Sequence, residues 1–82
     1  MEDKTLYTIT LLSENTLGLL NQITIIFTRR GVNIETLSGF PSETKGIHKI
    51  IITAFSNKES IEKIVKQIDK RVGVLDVSYA EN

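Results

Sequence analysis

Residues 4–31, KTLYTITLLSENTLGLLNQITIIFTRRG, change their periodicity midway, and that change decides the fold. From Lys4 to Ser13 the side chains alternate: Tyr7, Ile9 and Leu11 point one way, Thr8 and Thr10 the other. A period of two in β-branched residues reads as a strand. From Leu19 the spacing turns helical. Leu19, Leu20, Ile23, Ile26 and Phe27 form an apolar stripe, Asn21, Gln22, Thr28 and Arg29 lie opposite, and Ile25 is stranded on the polar side. Arg29, Arg30 and Gly31 predict the helix end, with cations at the negative pole and a glycine for a left-handed cap. Gly18 stands where this helix begins. Glycine inside a helix costs about 0.5–1 kcal/mol against alanine, so its presence reads either as turn chemistry or as room for something to approach the backbone.

Working outward, Val32–Phe40 (VNIETLSGF) reads as a second strand, loosening into a PSETKG loop that holds the only proline, Pro41. Ile47–Phe55 (IHKIIITAF) is apolar on both parities, which predicts a central strand. Ser56-Asn57-Lys58-Glu59 fits a capping box. A second helix follows with Ile61, Ile64, Val65, Ile68 and Val72 on one stripe, charged residues on the other face and Gly73 as its stop. Val74–Tyr79 supplies a last strand. The order βαββαβ, folded through right-handed crossovers, predicts an α+β ferredoxin-like sandwich: a four-stranded antiparallel sheet with both helices on one face. The expected strand order is 4-1-3-2, with the second and fourth strands at the edges.

The chain of 82 residues reads as one domain, with its core over about residues 4–79. Ten basic residues balance ten acidic ones, which argues against a broad nucleic-acid or anionic-lipid footprint. The absence of cysteine removes disulfides and thiolate chemistry. No apolar run approaches a membrane span, and MEDK lacks a signal-peptide core, so a cytoplasmic setting is expected.

Catalysis has little to work with. The single histidine, His48, sits mid-strand, and acid–base or nucleophilic work would need further groups converging on it. A metal site would need ligands beyond scattered carboxylates, so none is expected. RNA recognition on this topology uses aromatics on the central strands, and only Tyr7 and Phe55 are available, outside any basic–aromatic run. No catalytic residue is therefore assigned, and binding remains. The second strand is rich in strand formers, and only Glu35 supplies a charge against edge-to-edge pairing. Asn33, Ile34, Glu35, Thr36 and Leu37 are expected to form a homodimer edge.

Glu14-Asn15-Thr16-Leu17-Gly18, then Arg29-Arg30-Gly31-Val32-Asn33-Ile34-Glu35-Thr36-Leu37, with KIVKQIDKRVGVLDV to close, resembles the ACT domain of acetolactate synthase (acetohydroxyacid synthase, AHAS) small regulatory subunits. The likeness runs from about Leu6 to Val77. It implies a subunit of branched-chain amino-acid biosynthesis that has no catalytic site. Such subunits bind an effector, most often valine, between two ACT domains, and they modulate a large catalytic subunit by feedback inhibition. Thiamine diphosphate and magnesium, with FAD as a third candidate, are expected on that catalytic partner and no cofactor on this chain. The matching effector positions are Asn15, Gly18 and Leu19, with Asn33 from the neighbouring copy. On the residues alone, Asn15 is equally a helix cap and Asn33 equally a turn residue.

The physics of that placement is simple. A helix N-terminus offers unpaired N–H groups and partial positive charge to a carboxylate. An asparagine can donate to one pole of an amino acid or accept from the other. The chain departs from the family pattern at Leu17, where proline or serine is usual, and at Leu19, where alanine or valine is usual. It also ends at Asn82, before the second domain of many members, so it reads as a short form or as part of a longer subunit. Two other readings stay open at this stage: an ACT amino-acid sensor for a different enzyme or regulator, and an activating subunit that binds no effector.

Overall fold

The computed structural model describes residues 4–14 and 18–82. The elements are β1 (Thr5–Glu14), α1 (Leu19–Arg29), β2 (Ile34–Pro41), β3 (Ile47–Ser56), α2 (Lys58–Asp69) and β4 (Val74–Glu81). All neighbouring strands pair antiparallel in the order β2-β3-β1-β4, the expected order read from the other edge. The two central strands bury one parity only: Tyr7, Ile9, Leu11 and Ser13 on β1, and Ile50, Ile52, Ala54 and Ser56 on β3. Both helices pack on that face, through Leu19, Ile23, Ile26 and Phe27 of α1 and Ile61, Ile64 and Ile68 of α2. Burying each such side chain contributes about 1.5–3 kcal/mol.

The helix ends follow local chemistry. After α1 the Gly31 N–H donates to the Thr28 carbonyl (3.0 Å) and the Val32 N–H to the Phe27 carbonyl (3.0 Å), with Gly31 at φ +69°. This is a Schellman motif, and it needs a left-handed residue at that position. It also corrects the second strand. Val32 spends its N–H on the helix end, Asn33 is loop, and β2 begins at Ile34. Pro41, expected in the loop, is the last residue of β2, where an edge strand tolerates the missing N–H. At α2 the capping residue is Asn57, whose side chain accepts from the Ser60 N–H at 2.9 Å. The expected box was shifted by one residue, because Ser56 still belongs to β3 and is buried there.

Two apolar residues leave their expected places. Leu20 is 46% exposed, because the buried stripe of α1 is narrower than the spacing allowed. Val72 is 86% exposed, because α2 ends at Asp69 and the chain has turned away before reaching it.

Candidate functional site

Gly18 caps α1 in the left-handed region, at φ +81° and ψ 0°, and among the described residues no side chain caps the helix. Its carbonyl accepts the first intrahelical bond from the Gln22 N–H at 3.1 Å. A Cβ built on Gly18 meets nothing within 4 Å. The turn therefore requires glycine for its φ, and the space beside it is open. Among the described residues, the first-turn N–H groups of α1 therefore have no side-chain acceptor, next to room for a ligand. No acidic residue stands in that first turn to neutralise the partial positive charge.

Leu19 is 3% exposed and packs into the core. Its side chain does not face open space, so its contribution to a site here is its backbone N–H. Asn15, the fourth candidate, lies outside the described residues.

Asn33 is exposed in the loop between α1 and β2. It lines an open cleft of about 380 Å³ with Lys4, Arg30, Asn57 and Ser60. That polar grouping joins the end of α1 to the start of α2, and the sequence did not single it out. Singly, the sequence marked Arg30 as part of the α1 end and Asn33 as an effector position, and it set the α2 cap one residue early, at Ser56. Gly18 and Asn33 stand at opposite ends of α1, whose 11 residues span about 16 Å. A single chain does not bring them together around one small ligand.

The sheet defines two ends. At one, β1 finishes (Glu14 opposite Ile47) and β2 finishes (Pro41 opposite His48), and Gly18 follows β1 there. At the other, β2 starts (Ile34 opposite Ala54). β2 has a free edge along its length, with Leu37 and Phe40 38% and 43% exposed. Its register with β3 shifts between Ile34 and Thr36, so Glu35 is the extra residue of a bulge. Of the expected edge residues, Asn33 falls outside the strand, Glu35 sits on the bulge, and Ile34, Thr36 and Leu37 lie in the ladder.

His48 is half-buried, opposite Ser13 on one side and Pro41 on the other. Its Nδ1 is buried and has no hydrogen-bond partner among the described residues. No group of three or more His, Asp or Glu side chains is placed to hold a metal among those residues. Among them, no helix is long and apolar enough to cross a membrane.

A family profile described as the AHAS small subunit-like ACT domain matches residues 9–76. The acetolactate synthase small subunit of Buchnera aphidicola (subsp. Baizongia pistaciae) is 39% identical over 74 residues, 90% of this chain and 46% of the relative. That of Bacillus subtilis is 36% identical over 75 residues, 90% of this chain and 44% of the relative. Among solved structures, the acetolactate synthase small subunit of Thermotoga maritima superimposes with a TM-score of 0.79 at 31% identity, over 90% of this chain and 46% of that one. The chain thus spans a little under half the length of these two bacterial relatives.

Proposed function

Because the chain belongs to the family of acetolactate synthase small-subunit ACT domains, we propose that it is a regulatory module without a catalytic site of its own. In this reading it binds a small amino acid between two copies of itself and conveys that binding to a catalytic acetolactate synthase subunit. The thiamine diphosphate, magnesium and any FAD belong to that partner. Valine is the first effector to try, followed by leucine and isoleucine.

The observation that carries this reading is the separation of Gly18 from Asn33. Antiparallel pairing of β2 with β2 of a second copy, about a two-fold axis normal to the sheet, reverses the strand ends. The start of the partner's β2 then falls beside the end of this one. The partner's sheet end carrying Asn33 arrives at the sheet end carrying Gly18. The first turn of α1, which no described side chain caps, would take the effector carboxylate. Asparagine carbonyls, from Asn33 across the interface and from Asn15, would accept from its ammonium. An effector held by two chains favours the arrangement in which both sets of contacts exist, and this difference is what a catalytic partner can sense. Couplings of this type run to about 1–3 kcal/mol.

Calorimetric titration of the chain with valine, leucine and isoleucine, beside sedimentation to fix its oligomeric state, tests the reading. A saturable heat from a dimer is expected, and Asn33→Ala should weaken it by about tenfold, in line with a lost hydrogen bond to a charged group. A monomer at working concentration, or no heat and no melting shift at millimolar ligand, defeats the effector part.

A further inference from the structure

On the helical side of the molecule, three arginines converge on the groove between α1 and α2. Arg29 and Arg30 at the end of α1 and Arg71 just past α2 line an open cavity of about 360 Å³ with Gln67, Ser60 and Ile25. Arg30 Nε donates to Gln67 Oε1 at 3.4 Å, the one hydrogen bond recorded for any of the three guanidinium groups among the described residues. None of the three is paired with a carboxylate among those residues, where the ion pair present is Lys63 with Glu59 at 3.5 Å.

Supply does not explain this, since the chain has ten acidic residues for ten basic ones. Placement does. α1 carries no acidic residue over Leu19–Arg29. On α2, Glu59 is engaged by Lys63, and Glu62 accepts from the Tyr79 hydroxyl of β4 at 2.9 Å, on the far flank. Asp69 lies two turns beyond Glu62 and falls on that same far flank by helical spacing. The flank of α2 that faces α1 presents Ser60, Gln67 and Arg71 instead.

The groove also has an apolar margin. Ile25 lines it at 45% exposure, with the buried Ile26 beside it. Arginine set beside aliphatic side chains is the composition of a protein interface, where guanidinium groups take carboxylates in bidentate fashion and apolar neighbours exclude water. A site for a small free anion has no use for that margin.

We propose that this groove is a docking surface for a carboxylate-bearing segment of the catalytic subunit. The inference rests on the regulatory reading above. It also puts partner docking on the helix layer, away from the β2 edge used for self-pairing, so one chain can do both at once.

The test is direct titration of purified catalytic subunit with the wild-type chain, with Arg29→Gln/Arg71→Gln and with Arg71→Glu, each checked for melting temperature. Wild-type binding should weaken several-fold as salt rises from about 50 to about 300 mM. The double variant should bind about tenfold more weakly with a flatter salt dependence, and Arg71→Glu should weaken it at least as much. Equal binding by wild type and variants overturns the docking surface and leaves the regulatory reading standing. So does a change of oligomeric state in the variants, which would make a second copy the occupant. Saturable binding of inorganic phosphate lost in the double variant, with partner binding intact, would assign the groove to a small anion and overturn the proposal as well. Failure of the wild-type chain to bind the catalytic subunit at all removes the regulatory reading and the docking surface together.

Discussion

Replacing Gly18 by alanine separates two reasons for a glycine that are entangled at this position. The residue sits at φ +81°, where an L side chain costs about 1–2 kcal/mol. A Cβ there meets nothing within 4 Å, so no clash adds to that strain in the free chain. For a domain of this size, 1 kcal/mol lowers the melting temperature by about 4–8 °C, which predicts a drop of about 4–16 °C. Gly46→Ala is the matched control, since Gly46 has φ +83° and equally empty surroundings but no assigned part in binding. Both variants should lose similar stability by differential scanning fluorimetry. Their effector isotherms should differ, because only at Gly18 does the added methyl occupy the space assigned to the ligand. A weakening of about tenfold or more is expected for Gly18→Ala against little for Gly46→Ala, since a methyl in a closely packed site forces the ligand away from its N–H donors. Equal effector affinity in the two variants would refute the idea that a ligand lies against Gly18 and leave it as a turn residue alone.

Asn57→Ala should cost about 1 kcal/mol in urea unfolding, because it removes the side-chain acceptor of the Ser60 N–H, whereas Ser56→Ala removes no cap contact. Leu37→Lys places a charge on the free edge of β2, and sedimentation should show a dimer for the wild type and a monomer for this variant, with the far-UV spectrum unchanged. At alkaline pH the Tyr79 hydroxyl, held up by its hydrogen bond to Glu62 and then by burial, should keep its proton past the ordinary range. The neutral phenol is therefore favoured in the folded state: its contribution is complete below the unfolded tyrosine pKa of about 10 and lost as pH rises through the raised folded value. Burial, followed by Glu81 and Glu62, raises Tyr7 in the same direction, so stability should fall above about pH 10, less steeply in Tyr79→Phe.

What could be read from the sequence was what repeats along the chain. β1 and α1 announce themselves by period, and α1 begins at Leu19 as its stripe does. The apolar residues on both parities of β3 point to a central strand, and β3 is central, although only the parity of Ile50, Ile52 and Ala54 is buried. The end of β2 was less legible because Pro41 looks like a turn residue, and only the edge position makes it acceptable in a strand. Its start was hidden by the Schellman motif, which recruits the strand-like Val32 to finish a helix. The bulge at Glu35 depends on the partner strand and leaves no mark in β2 itself. For the candidate site, the sequence put Gly18 and Asn33 together only by resemblance. Their separation across α1 is a property of three dimensions, and so is the grouping of Arg29 and Arg71 across the two helices.

The alternation of β2 restricts how a second chain could continue the sheet. Thr36, Ser38 and Phe40 share one face, opposite Thr53, Ile51 and Lys49, while Leu37 and Gly39 share the other with Ile52 and Ile50. A two-fold axis normal to the sheet keeps both helix layers on the same side, and residues directly opposite must then face the same way. Only registers in which the two paired residue numbers add to an even value satisfy this, so the axis passes midway between a residue and its own copy. Beyond the Glu35 bulge, Ser38 and Gly39 stand nearest the middle of the free ladder, Thr36 to Pro41. A two-fold axis lying in the sheet and running along the strands would instead pair the two β2 strands parallel, with one helix layer above the sheet and the other below. Strand direction thus sorts the conceivable two-fold dimers into two shapes, and only the antiparallel one keeps both helix layers on a common face.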